Sequence, residues 1–101
     1  MNYIYAQIVK SDRENKKYMI RFYDQDRKQK KVIHFGQKGA DDYIKTKNEE
    51  QKEMYLDRHR KNENWNKADT AGALSRWILW NKPTLSASYN DYLKRFGLKK
   101  Y

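Results

Sequence analysis

Residues 32–43, VIHFGQKGADDY, bring together the side chains in this chain best able to do chemistry. Gly36 and Gly39 bracket Lys38, and a Gly-x-Lys-Gly turn has two uses. The glycines can supply positive φ in a loop leaving a sheet edge. Alternatively, the turn exposes backbone N–H groups beside Lys38, so that Gly36, Lys38 and Gly39 form an anion nest for a phosphate. It is not a Walker loop, because no second lysine followed by Ser or Thr opens a helix there, and nucleotide hydrolysis has no support. His34 and His59 lie near Asp41, Asp42 and Glu63 in sequence, a set able in principle to ligate a metal or move a proton. The spacing argues against both, since neither His-x-x-x-His nor Glu-x-x-His occurs and His59 stands between Arg58 and Arg60. His59 is expected instead to make a buried hydrogen bond between helix and sheet. No catalytic residue, metal ligand or cofactor is assigned.

The second kind of chemistry is electrostatic. In 101 residues, 23 Lys and Arg face 13 Asp and Glu, a net charge of +10 that calls for a polyanionic partner. The charge is uneven: +6 over residues 1–47, −1 over 48–64 and +5 over 65–101. Arg27, Lys28, Lys30, Lys31 and Lys38 are candidate phosphate contacts near a hairpin, with Arg58, Arg60 and Lys61 on a helix as further candidates. Trp65, Trp77 and Trp80 are expected in the core, because burying them removes large apolar area from water. Base stacking by one of them, or by Tyr3, Tyr5 and Tyr23 on an exposed face, is the functional alternative.

These residues need elements to hold them. The length suits one domain, 1–101, and the absence of cysteine removes disulfides and thiolate metal sites. The apolar run at the N-terminus lacks a basic lead, so the chain is not expected to be secreted, and no stretch suggests membrane insertion. Tyr18, Ile20 and Phe22 alternate with Lys17, Met19, Arg21 and Tyr23, the period of a half-buried strand. Three antiparallel strands are predicted at about 3–9, 17–24 and 30–36, followed by helices at about 47–62, 70–80 and 85–96, an α+β fold. Thr46 and Glu49 form a capping box for the first helix. WNKPT (80–84) stops the second, with Asn81 and Lys82 in solvent, and Thr84 and Gly97 cap the third. The final LKKY is expected to be loose.

VIHFGQKGADDYI, YLDRHRKNENW and TAGALSRWILWNKPTLSASYNDYLKRFG, taken in succession, resemble a family of small basic proteins of nucleocytoplasmic large DNA viruses, the mimivirus-like and chlorella-virus-like group. The likeness runs from about Lys17 to Phe96 and implies a viral origin, in the virion or in a viral factory of the host cytoplasm, without an established chemistry. A strand running into Phe35-Gly36 and a basic turn before a helix is also similar, at the level of fold, to the Trp-Gly-Arg domain of DNA-damage-responsive polymerases, with Phe-Gly in place of Trp-Gly.

The expected function is nucleic-acid binding through mainly sequence-nonspecific phosphate contacts, DNA ahead of RNA, without catalysis. The alternative is a structural virion or scaffold protein whose basic surface meets acidic virion proteins and whose aromatic faces make the protein contacts.

Overall fold

In the computed structural model, which describes residues 3–101, Tyr5–Lys10 (β1), Lys16–Tyr23 (β2) and Gln29–Gln37 (β3) form an antiparallel meander. The alternation read in β2 decides which face is covered. Ile20 pairs with Ile8 and Ile33, and Phe22 with Ala6 and Lys31, so these rows share one side of the sheet. Ile20, Phe22, Ala6 and Phe35 are buried there beneath the helices.

The sheet has a fourth strand that the sequence did not suggest. Lys99–Lys100 (β4) runs parallel to β1, giving the order β3-β2-β1-β4. The C-terminal residues are therefore ordered rather than loose: the Lys99 N–H donates to the Ile4 carbonyl at 2.9 Å and the Tyr101 N–H to the Ala6 carbonyl at 3.0 Å. The cause lies one turn earlier. Gly97 takes φ 66° at the end of the last helix and the Leu98 N–H reaches back to the Leu93 carbonyl, which turns the chain so that Leu98 is buried and β4 meets β1.

The helices also depart from expectation, four short elements replacing three. The expected helix over 47–62 is divided into α1 (Tyr43–Thr46) and α2 (Glu49–His59). The Thr46 capping box is not made. Thr46 Oγ1 instead donates to the Asp42 carbonyl, and Asn48 caps α2 by accepting from the Gln51 N–H at 3.0 Å. Lys47 at φ 52° forces the break, being the left-handed stop of α1. Only Tyr55 and Leu56 of α2 are buried, while Met54 is 62% exposed.

The expected helix over 70–80 starts where its Thr70 cap requires, as α3 (Ala71–Leu74), but continues as a π turn (Ser75–Leu79) closed by the Trp80 N–H donating to the Ser75 carbonyl at 3.0 Å. The last helix, α4 (Leu85–Phe96), has the predicted caps, Thr84 and Gly97. Its buried tyrosines stitch it to the rest: Tyr89 donates to the Ala6 carbonyl at 2.9 Å and Tyr92 to the Ala68 carbonyl at 2.8 Å. Asn81 is buried rather than solvated, donating to the Trp77 carbonyl at 3.0 Å and to Asp91 at 2.7 Å. No helix among the described residues is long and apolar enough to cross a membrane.

Candidate nucleic-acid interface

The predicted cations fall into three groups that the fold keeps apart. Arg27, Lys28, Lys30 and Lys31 lie at the β2–β3 hairpin, whose loop is organised by Asp24: its carboxylate accepts from the N–H groups of Asp26 at 2.9 Å and Lys28 at 3.0 Å. The Lys28 N–H above all holds the Asp24 carboxyl below the usual carboxylate range. Much of this group is already engaged. Lys30 faces Asp24 at 3.6 Å and Lys31 faces Asp69 at 3.1 Å, while the Arg27 guanidinium stacks 4.7 Å from the Tyr5 ring centre and 4.9 Å from that of Tyr101. Lys28 is exposed and makes no ion pair among the described residues.

Lys38 lies at the far end of β3, roughly 25 Å along the strand from the hairpin at ~3.3 Å per residue. Of the backbone N–H groups at this turn, two have partners within the protein. The Lys38 N–H donates to the Asn15 carbonyl at 3.0 Å and the Ala40 N–H to the Gln37 carbonyl at 3.1 Å, so both are spent within the protein. The glycines have different reasons to be there. Gly39, at φ 89°, occupies the third position of this turn with open space around it. Gly36, at φ 78°, lies where a β-carbon would come within 2.9 Å of Leu79 Cδ1 and 3.2 Å of Lys17 Cβ, so close packing and conformation both demand glycine.

Arg58, Arg60 and Lys61 end α2 in solvent, and here the fold adds two arginines that the sequence reading missed. Arg76, in the π turn, places its guanidinium 4.1 Å from the Trp77 ring centre and 5.5 Å from that of Trp65. Arg95, in the last turn of α4, lies 3.6 Å from the same Trp77 centre. Both charges are thus within 4.1 Å of one ring, closer to each other than the Debye length of about 8 Å at physiological ionic strength. Trp77 is anchored by its indole N–H, which donates to the Trp65 carbonyl at 2.8 Å, and Trp65 in turn donates to Glu63 at 2.8 Å.

Arg76 is the least compensated charge in this cluster. Its Nη1 donates to the Trp80 carbonyl at 2.8 Å, yet its Nε is buried without a partner and no carboxylate lies within ion-pair distance among the described residues. Burial first, and then the like charge of Arg95, lower its pKa, although a guanidinium stays protonated. Arg95 shares Asp91 at 3.6 Å. Trp65 and Trp77 are half-buried, and only Trp80 is fully within the core, where it stacks on Tyr55 at 4.4 Å. Of the tyrosines offered as stacking platforms, Tyr23 is buried and stacks on Tyr101 at 3.8 Å, while Tyr3, stacked on Phe22 at 4.8 Å, and Tyr5 are half-buried.

The histidines are placed apart from one another in the fold's hydrogen bonding. His34 Nδ1 shares a 2.8 Å hydrogen bond with Ser11, and His59 Nδ1 one of 3.1 Å with Glu63. The His59 bond stays within the end of α2 and its following loop, so the expected link from helix to sheet is not made. Asp42 caps α1 and pairs with Lys17 at 2.5 Å, and Asp41 pairs with Lys45 at 3.4 Å. No three acidic or histidine side chains among the described residues are grouped to hold a metal ion.

Neither the comparison with curated proteins nor that with solved structures finds a match. A family model matches residues 6–59, from β1 to the end of α2, and thus spans the sheet meander and the hairpin but stops short of Arg60, Arg76 and Arg95. Its description mentions neither the viral group nor the Trp-Gly-Arg domain that the sequence motifs resemble. More than half the chain lies within that match, and the chain belongs to the family of unknown function DUF5754.

Proposed function

We propose that this protein binds nucleic acid, DNA ahead of RNA, through mainly sequence-nonspecific phosphate contacts and without catalysis. The observation that carries the reading is the pairing of Arg76 and Arg95 on one indole, with the exposed Arg60 near enough to act on Arg76 electrostatically. Collecting like charges costs electrostatic free energy unless an anion answers them, and a phosphate backbone does so while releasing counterions. The wider surface supports the same reading. Among the described residues only Lys17, Lys30, Lys31, Lys45 and Arg95 reach a carboxylate within ion-pair distance, which leaves most of the cations free. In the viral setting that the motifs resemble, the partner would be viral DNA in the virion or the host cytoplasm.

The test is a titration of labelled duplex DNA, single-stranded DNA and RNA at two salt concentrations. Log affinity should fall with log salt at a slope of about −0.9 per duplex phosphate contacted. A flat salt dependence, or no binding at low salt, would overturn the reading and favour a protein partner.

A further inference from the structure

At the end of the sheet away from the hairpin, a cleft of about 280 Å³ is lined by Lys10, Lys17, Tyr18 and Lys38. We propose that this cleft binds a phosphate group, carried either by a nucleic-acid strand or by a free phosphorylated small molecule. The proposal does not require the arginine and tryptophan interface, which belongs to other elements.

The cleft assembles residues from three strands' ends. Lys10 closes β1 and pairs in register with Tyr18 of β2, while Lys38 follows β3. The Lys38 backbone is pinned beside the β1–β2 turn by its N–H bond to the Asn15 carbonyl, and Gly39 then turns the chain away at φ 89°. Gly39 thus serves the cleft by turning the chain just after Lys38.

The charges are arranged asymmetrically. Lys17 is fixed, donating to Asp42 at 2.5 Å and to the Ala40 carbonyl at 2.6 Å, and is neutralised by Asp42. Lys10 and Lys38 have no ion-pair partner among the described residues, and no acidic side chain lines the cleft. The residues lining the cleft therefore carry unneutralised charge of one sign, which favours an entering anion. Burial, and then Asp42, raise the Tyr18 pKa, so its phenol stays neutral and does not repel that anion. The volume, near the lower end of the roughly 300–1,000 Å³ of small-molecule pockets, suits a phosphate with a small attached group.

The experiment is a two-dimensional NMR titration of the full chain with inorganic phosphate, a mononucleotide and a short oligonucleotide, at constant ionic strength with chloride as control. Saturable shifts should appear at Lys10, Tyr18, Lys38 and Gly39 with at least one of these, and the Lys10→Gln/Lys38→Gln double variant should weaken binding about fivefold or more while melting like its parent. Response to the oligonucleotide alone assigns the phosphate to a strand, and saturation by inorganic phosphate or mononucleotide assigns it to a free ligand. Shifts that never saturate, or saturable binding undiminished in the double variant, would overturn the proposal. The Trp65 and Trp77 indole signals report the other interface, so failure of either reading is visible without the other.

Discussion

The Arg95 guanidinium lies 3.6 Å from the centre of the Trp77 ring, joining the last turn of α4 to the π turn. Because the same ring carries Arg76 at 4.1 Å, a single indole sets the position of two cations from different elements. Removing it should disturb packing and charge placement together. Trp77→Ala is expected to cost about 3 kcal/mol, the low end for a tryptophan truncation, because the ring is half-buried and its bond to the Trp65 carbonyl is also lost. Thermal denaturation followed by circular dichroism checks it, with a fall of about 15 °C expected for a domain of this size. A melt like that of the parent would make Trp77 a surface platform rather than an anchor.

The two glycines of the turn after β3 should respond differently to alanine. Gly39→Ala meets open space and incurs only the penalty of a β-carbon at positive φ, about 1 kcal/mol. Gly36→Ala adds a contact of 2.9 Å with Leu79 Cδ1 to the same strain and is expected to cost about 3 kcal/mol. Urea denaturation of both variants measures the difference, and equal losses would contradict the packing account of Gly36.

Residues 98–101 should contribute to stability as a strand does. Leu98 is buried and β4 pairs with β1, so Leu98→Ala is expected to cost about 2 kcal/mol. Hydrogen exchange of the Lys99 and Tyr101 amides reads the same point locally: both should be protected in the parent and exchange faster in the variant.

The first three strands were legible because period-two alternation in residues 18–23 and aromatic enrichment are local signals of a half-covered sheet. The α4 caps were legible for the same reason, as Thr84 and Gly97 act on their own neighbours. What escaped the sequence is non-local. Two residues suffice for β4 because an existing edge of β1 receives them, and no periodicity can mark so short a strand. The break between α1 and α2 turns on Lys47 adopting positive φ, which a lysine rarely does and no motif announces. The site behaved likewise. The hairpin cations stood out as a run, whereas Arg76 and Arg95, 19 positions apart, meet only through Trp77. Their signal would have been an arginine next to a tryptophan in one helix with an arginine on the polar side of the next.

Alkaline unfolding should report the buried tyrosines. Burial pushes Tyr55 and Tyr89 up to about 12 from 10.0 and raises Tyr92 as well. The unfolded chain therefore loses these phenolic protons first. The stability they contribute is complete below pH 10 and is lost as pH rises through 10 toward 12, at about 1.4 kcal/mol per pH unit for each tyrosine. Urea midpoints at pH 8, 10 and 11 should fall accordingly, and more gently in Tyr89→Phe. Equal slopes for parent and variant would contradict the burial of the Tyr89 hydroxyl.

The central claim, that phosphates are met by the cations gathered on Trp77, is tested most directly by the salt dependence of duplex DNA binding in Arg95→Gln beside the parent. Arg95 is exposed enough for its replacement to leave the melting temperature within a few degrees of the parent value. The account predicts weaker binding and a log–log slope shallower by about 0.9, the loss of one phosphate contact. Unchanged affinity and slope in the folded variant would contradict it and move the contacts to the hairpin lysines 28, 30 and 31.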